Sequence, residues 1–191
     1  MDTVELSART TALVIIDLQK GVTGRQLAPH AADVPASAKH LAQRWRAAGG
    51  LVVLVRVAFS SGYVDAPGQK VDQPPQRPGQ AAAAEWSELV PGLADPGDLI
   101  ITKRQWGGFH GTELDLQLRR RAIADIVLGG VATNFGVEST ARQAWEAGYG
   151  VVLTEDATSS MTAEMHEFAV REVMPRIACV RASKDIVLVP P

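Results

Sequence analysis

The stretch LGGVATNFGVESTARQAWE, residues 128–146, decides how the rest of the chain is read. An apolar run ends in Gly129 and Gly130, a short turn follows, and a helix starts near Gly136. Where a strand gives way to the start of a helix, successive backbone N–H groups lack carbonyl partners and point into one small space. That space suits an anion or a developing oxyanion. Two other apolar runs end in charged residues, TALVII in Asp17 and LIIT in Lys103. In a parallel sheet such strand ends gather along one edge, so the three features are expected to converge.

Outward from this stretch, short apolar runs alternate with segments of helical spacing. Strands are predicted at 11–17, 51–57, 98–102, 125–128, 150–154 and 176–180, and helices at 34–48, 112–121, 137–147 and 162–173. In the first helix Ala38, Leu41, Ala42, Trp45 and Ala48 recur on one face and the pattern stops at Gly49-Gly50, a C-terminal signal. Strands that are continuously apolar are buried on both faces. Six of them alternating with helices specify a single α/β domain over 1–191, a doubly wound, Rossmann-like six-stranded parallel sheet with helices on both faces and right-handed crossovers. Residues 58–97 are irregular and rich in proline and glycine, and a segment of that length is expected to be a lid beside the site or a subunit contact.

With 191 residues, 46% of them hydrophobic, the chain has material for one sizeable core. A net charge of -2 argues against a nucleic-acid surface, because neutralising phosphates takes clustered Lys and Arg. The densest basic run, Arg119-Arg120-Arg121, lies on a predicted amphipathic helix and reads as a solvated face. Residues 1–9 have no apolar core of a secretory leader, and no apolar run approaches the ~20 residues of a membrane span. A cytoplasmic protein with a small-molecule substrate and no membrane partner is expected. The single cysteine, Cys179, lies in a predicted late strand and reads as a small buried apolar side chain. His30, His40, His110 and His166 form no paired ligand motif, so no metal is expected, and only His110 is placed near the pocket rim. The glycines of 128–136 match neither common phosphate-loop pattern, so a dinucleotide is unsupported, and no other cofactor is expected.

Asp17 and Lys103 are the chemical pair. Alone, Asp17 reads as a loop-anchoring acceptor and Lys103 as an exposed strand-end cation, but together an ammonium would hold the carboxylate ionised while partial burial opposes it. Such a carboxyl serves as general base or, once protonated, as general acid. Trp106 and Phe109 follow Lys103 closely and form either a pocket wall or core packing beneath the loop.

TALVIIDLQKG, LIITKRQWGGFHGTELDLQLRRR, LGGVATNFGVESTARQAWEAGYGVVLTEDATSS and PRIACVRASKDI together resemble the isochorismatase-like hydrolases, also called the cysteine hydrolase superfamily. The likeness runs nearly end to end and weakens between residues 58 and 97. It implies a six-stranded parallel sheet and a site of aspartate, lysine and cysteine, of which the first two fall on Asp17 and Lys103. It also implies a non-proline cis peptide at Val131-Ala132 and an oxyanion hole from the amides of Ala132 and the nucleophile position. That position here is Gly136, since the family segment GVATNxCVEST reads GVATNFGVEST. A thiolate and an acyl-enzyme are therefore not implied. The Asp-x-His metal ligands of nicotinamidases are missing from RVAFSSGYVDAPGQ.

The branch of the family that works without the cysteine protonates a vinyl ether with the aspartate and lets water attack the resulting oxocarbenium ion. The expected function is thus hydrolysis of a small, carboxylate-bearing metabolite by Asp17, with Lys103 holding it and binding substrate charge. Two alternatives are an amidase-like hydrolase with a non-cysteine mechanism and a silent binder that keeps the pocket. Substrate contacts are expected from Gln19, Arg56, Phe59, Arg104, Trp106, Phe109, Val131, Asn134 and Phe135. A homodimer or homotetramer is expected by the same resemblance.

Overall fold

The computed structural model describes residues 2–24, 28, 33–74, 79 and 83–189. Six parallel strands form the sheet: β2 (Thr11–Ile16), β3 (Leu51–Val57), β4 (Leu99–Lys103), β5 (Asp125–Val131), β6 (Gly150–Ser159) and β7 (Cys179–Arg181), in the order β4-β3-β2-β5-β6-β7. The chain builds outward from β2 to β4, crosses back to β5, and builds outward again to β7. The switch point lies between β2 and β5, the place where open α/β sheets bind ligands.

The two faces carry separate cores. On one, α2 (Val34–Ala47) packs Ala38, Leu41 and Trp45 against Leu13, Ile15 and Val127. On the other, α4 (Leu114–Arg120) and α5 (Glu138–Glu146) pack Leu114, Leu118, Ala141 and Ala144 against Val14, Ile16 and Ile101. All six residues of β2 are buried, as its unbroken apolar run requires.

Several boundaries differ from the sequence reading. β5 and β6 run further than expected, and α5 starts after a π turn at Thr133–Val137. The last helix is α6 (Ala163–Phe168) continued by a second π turn, Ala169–Val173, then a 3-10 turn, Met174–Arg176, around Pro175. That turn uses the start of the expected strand 176–180, and β7 begins only at Cys179. Because β7 is the edge strand, Cys179 is exposed, correcting the expectation of a buried side chain. A second, two-stranded parallel sheet of β1 (Val4–Ser7) and β8 (Ile186–Val189) was not foreseen. It is fastened to α2 by Arg44, whose guanidinium donates to the carbonyls of Ser183 and Ile186 at 2.8 and 2.5 Å.

Within 58–97 the described residues contain one 3-10 turn, Ser61–Tyr63, and the short helix α3 (Ala83–Trp86). The far end of 58–97 lies beside the chain that leaves β2 and enters the short helix α1 (Lys20–Thr23): Lys20 N–H donates to Glu88 O at 2.8 Å and Val90 N–H to Leu18 O at 3.0 Å. Among the described residues no helix is long and apolar enough to cross a membrane.

Candidate active site

Asp17 follows β2 directly, with a left-handed backbone at φ 52°. Side chains alternate along a strand, so Asp17 would ordinarily share the face of Leu13 and Ile15. The positive φ breaks that alternation, and its N–H still closes the ladder on Val55 O at 2.8 Å. A non-glycine residue in this region is locally strained, and such strain clusters at functional sites.

The carboxylate so turned meets Lys103, the last residue of β4, which lies on the other face two positions beyond Ile101. β3 separates the two strands, a gap of roughly 10 Å by ordinary strand spacing, and the lysine stem spans it. Lys103 Nζ stands 2.8 Å from Asp17 Oδ2 and also donates to the Trp106 carbonyl. Lys103 is 1% exposed and Asp17 is buried beside it. Lys103 therefore neutralises Asp17 and is not placed to reach out for substrate charge. Burial pushes the Asp17 carboxyl above its ordinary value, and the charge and hydrogen bond of Lys103 pull it back. Its second oxygen, Oδ1, is buried with no hydrogen-bond partner among the described residues.

The third element is the turn after β5. The Val131-Ala132 peptide is cis, and the π turn carries Gly136 against the ion pair. A Cβ at Gly136 would lie 3.0 Å from Asp17 Oδ2 and 3.1 Å from Lys103 Nζ. The convergence expected of Asp17, Lys103 and Gly136 is thus realised at the switch point.

The surrounding residues sort differently from the sequence reading. Trp106 is 61% exposed and sets its ring edge-on to Phe135, 4.9 Å between centroids, so these two form a wall next to Lys103 and Gly136. Phe109 is instead buried in the core against Tyr149, correcting its assignment to the pocket. Gln19 is fully buried; its amide donates to Val57 O and Trp86 O and accepts from Val57 N–H, so it braces the loops rather than facing a ligand. Arg56 follows Val52 and Leu54 on the opposite face from Lys103 and reaches Thr102 Oγ1 at 3.4 Å. Arg104 pairs with Asp65 at 2.6 Å, which holds that carboxyl well below the usual range. Asp65 also accepts from Ser60 N–H and Oγ, both at 2.8 Å. Phe59 packs on Tyr63, 5.7 Å between centroids, in the same loop. His110 is exposed on the loop after Lys103.

Other site neighbours carried little sequence signal. His166, from α6, is buried with Nδ1 2.8 Å from Thr133 Oγ1, and Ser160 Oγ bonds Asn134 Oδ1, so both sides of the turn are anchored by polar contacts. Among the described residues no group of three His, Cys, Asp or Glu side chains could hold a metal.

Comparison with known proteins agrees with this fold. The isochorismatase domain model matches residues 11–185. The chain is 49% identical over 184 residues to YecD, an uncharacterised isochorismatase family protein of Escherichia coli O157:H7, covering 95% of this chain and 97% of that one. It is 32% identical over 176 residues to the ureidoacrylate amidohydrolase RutB of Stutzerimonas stutzeri, covering 80% and 71%. The solved structure of an isochorismatase family protein from Burkholderia thailandensis superposes with a TM-score of 0.91 at 41% identity, covering 97% of each chain.

Proposed function

Given that the chain belongs to the isochorismatase family of hydrolases, we propose that it hydrolyses a small, carboxylate-bearing metabolite with water as nucleophile and Asp17 as acid and base. The observation that carries this reading is the Asp17–Lys103 pair facing a glycine, with Oδ1 buried and unpartnered among the described residues. An unpaired buried oxygen is costly, so a substrate or water is expected to complete its hydrogen bonding. The amides of Ala132 and Gly136 are assigned to the substrate carboxylate or a developing oxyanion, since Arg56 and Arg104 are turned to other partners.

For a vinyl ether, protonated Asp17 gives its proton to the terminal carbon. Water adds to the oxocarbenium ion and returns a proton to Asp17, and the hemiketal collapses to a ketone and an alcohol. Burial favours the protonated form that starts this sequence, and Lys103 keeps the conjugate base from being too costly. A second reading, C–N hydrolysis, is favoured by the ureidoacrylate amidohydrolase relatives. In it Asp17 takes a proton from the attacking water and returns it to the leaving nitrogen.

Proton NMR of isochorismate with wild type and Asp17→Asn tests the first reading, pyruvate from wild type alone being expected. Ammonia or amine release from ureido substrates, lost in Asp17→Asn, would select the second. Thermal stabilisation by these compounds without product would instead make the chain a binder.

A further inference from the structure

We propose that Thr140 and Gln143 are positioning residues that lock the loop after Lys103 onto the turn carrying Gly136, and so fix the geometry around Asp17. The proposal rests on the reading of Asp17 as the acting carboxyl. Thr140 is fully buried on α5. Its hydroxyl accepts from Gly108 N–H at 3.0 Å and donates its proton to Gly136 O at 2.6 Å, so it is used in both directions. Gln143, three residues on and on the same helix face, accepts through Oε1 from Phe109 N–H at 3.1 Å and His110 N–H at 3.5 Å.

The adjacent glycines of QWGGFHG fit this approach. A Cβ on Gly107 would stand 2.3 Å from Gln143 Oε1, and one on Gly108 3.3 Å from Thr140 Oγ1. These hydrogen bonds and the close approach of Gly136 to Asp17 complete a circuit. From Asp17 it runs to Lys103, through the Trp106 carbonyl and the loop to Gly108, across the Thr140 hydroxyl to Gly136, and back to Asp17. An ordinary helix-to-loop contact stabilises the fold and nothing more. Here one hydroxyl joins both walls of the ion pair, and Gln143 holds the same loop beside it.

Opening the circuit admits water to Asp17, whose carboxyl is raised chiefly by burial. The test is a carbon-13 NMR titration of the Asp17 carboxyl, with urea denaturation of the same variants. It needs no turnover, so its failure is distinct from failure of the hydrolytic reading. Thr140→Val, which keeps shape and removes both bonds, is expected to lower the midpoint by about one pH unit, with Thr140→Ser restoring it. Gln143→Ala, at a partly exposed position, is expected to lower it less and decides the matter if Thr140→Val does not fold. Variants that lose stability while the Asp17 midpoint stays at the wild-type value would overturn the proposal.

Discussion

Gly136 faces Asp17 so closely that a Cβ built on it would stand 3.0 Å from Asp17 Oδ2, with Ile16 Cγ2 and Lys103 Nζ each at 3.1 Å. Carbon contacts this short are repulsive, and Ile16 is a buried strand residue with little room to yield. A side chain at 136 therefore needs the ion pair or Ile16 to give by a few tenths of an ångström. Gly136→Ala is expected to fold, to lose about 1–3 kcal/mol, and to slow turnover. Gly136→Cys is expected to behave likewise, with no covalent intermediate by intact mass. A pre-steady-state burst in Gly136→Cys would show that room for a nucleophile had been kept.

Gly130 tests how the sheet brings the turn to Asp17. It has φ 112°, and a Cβ there would lie 2.0 Å from Ile16 O and 2.6 Å from Ile16 N. Those atoms belong to the central strand and cannot rotate away as a side chain would. Gly130→Ala is expected to cost more than about 3 kcal/mol or to abolish soluble expression, measured by urea melts. A wild-type melt would mean that β5 does not pass so near β2.

The sequence made the strands legible because burial on both faces leaves an unbroken apolar run, as in residues 11–16. Asp17 and Lys103 stood out as charges closing such runs, and the sheet brings them together. β1 and β8 were missed because VELS and IVLV are short and only half buried. Composition could not separate Trp106 from Phe109, since their opposite fates depend on the path of the loop between them. Gln19 gave no sign of its bracing role, which is set by carbonyls at Val57 and Trp86 far along the chain. Thr140 reads as an ordinary polar helix residue, and only the paired glycines at 107 and 108 hint that something approaches closely.

Cys179 should be reactive and dispensable. It is exposed at the start of the edge strand and pairs in register with Val152, well before β6 reaches the carboxyl edge of the sheet where Asp17 sits. Iodoacetamide is expected to add one group per chain while turnover stays within about twofold of the untreated protein. Inactivation proportional to labelling would place a thiol in the mechanism after all.

Lys103→Met removes the cation that stands against a buried carboxyl. What remains is Asp17 with burial raising its midpoint and nothing from Lys103 to lower it. An acid whose folded midpoint lies above its unfolded value of about 3.9 binds more protons when folded between those two points. The stabilising contribution is then complete below the unfolded value and is lost as pH rises through the folded one. The variant should therefore approach wild-type stability near the ordinary carboxylate range and fall behind it with rising pH, by about 3–5 kcal/mol once Asp17 ionises unpaired. Urea denaturation from acid to mildly alkaline pH measures this directly. A loss independent of pH would mean that the lysine stem, and not its charge, is what the fold requires.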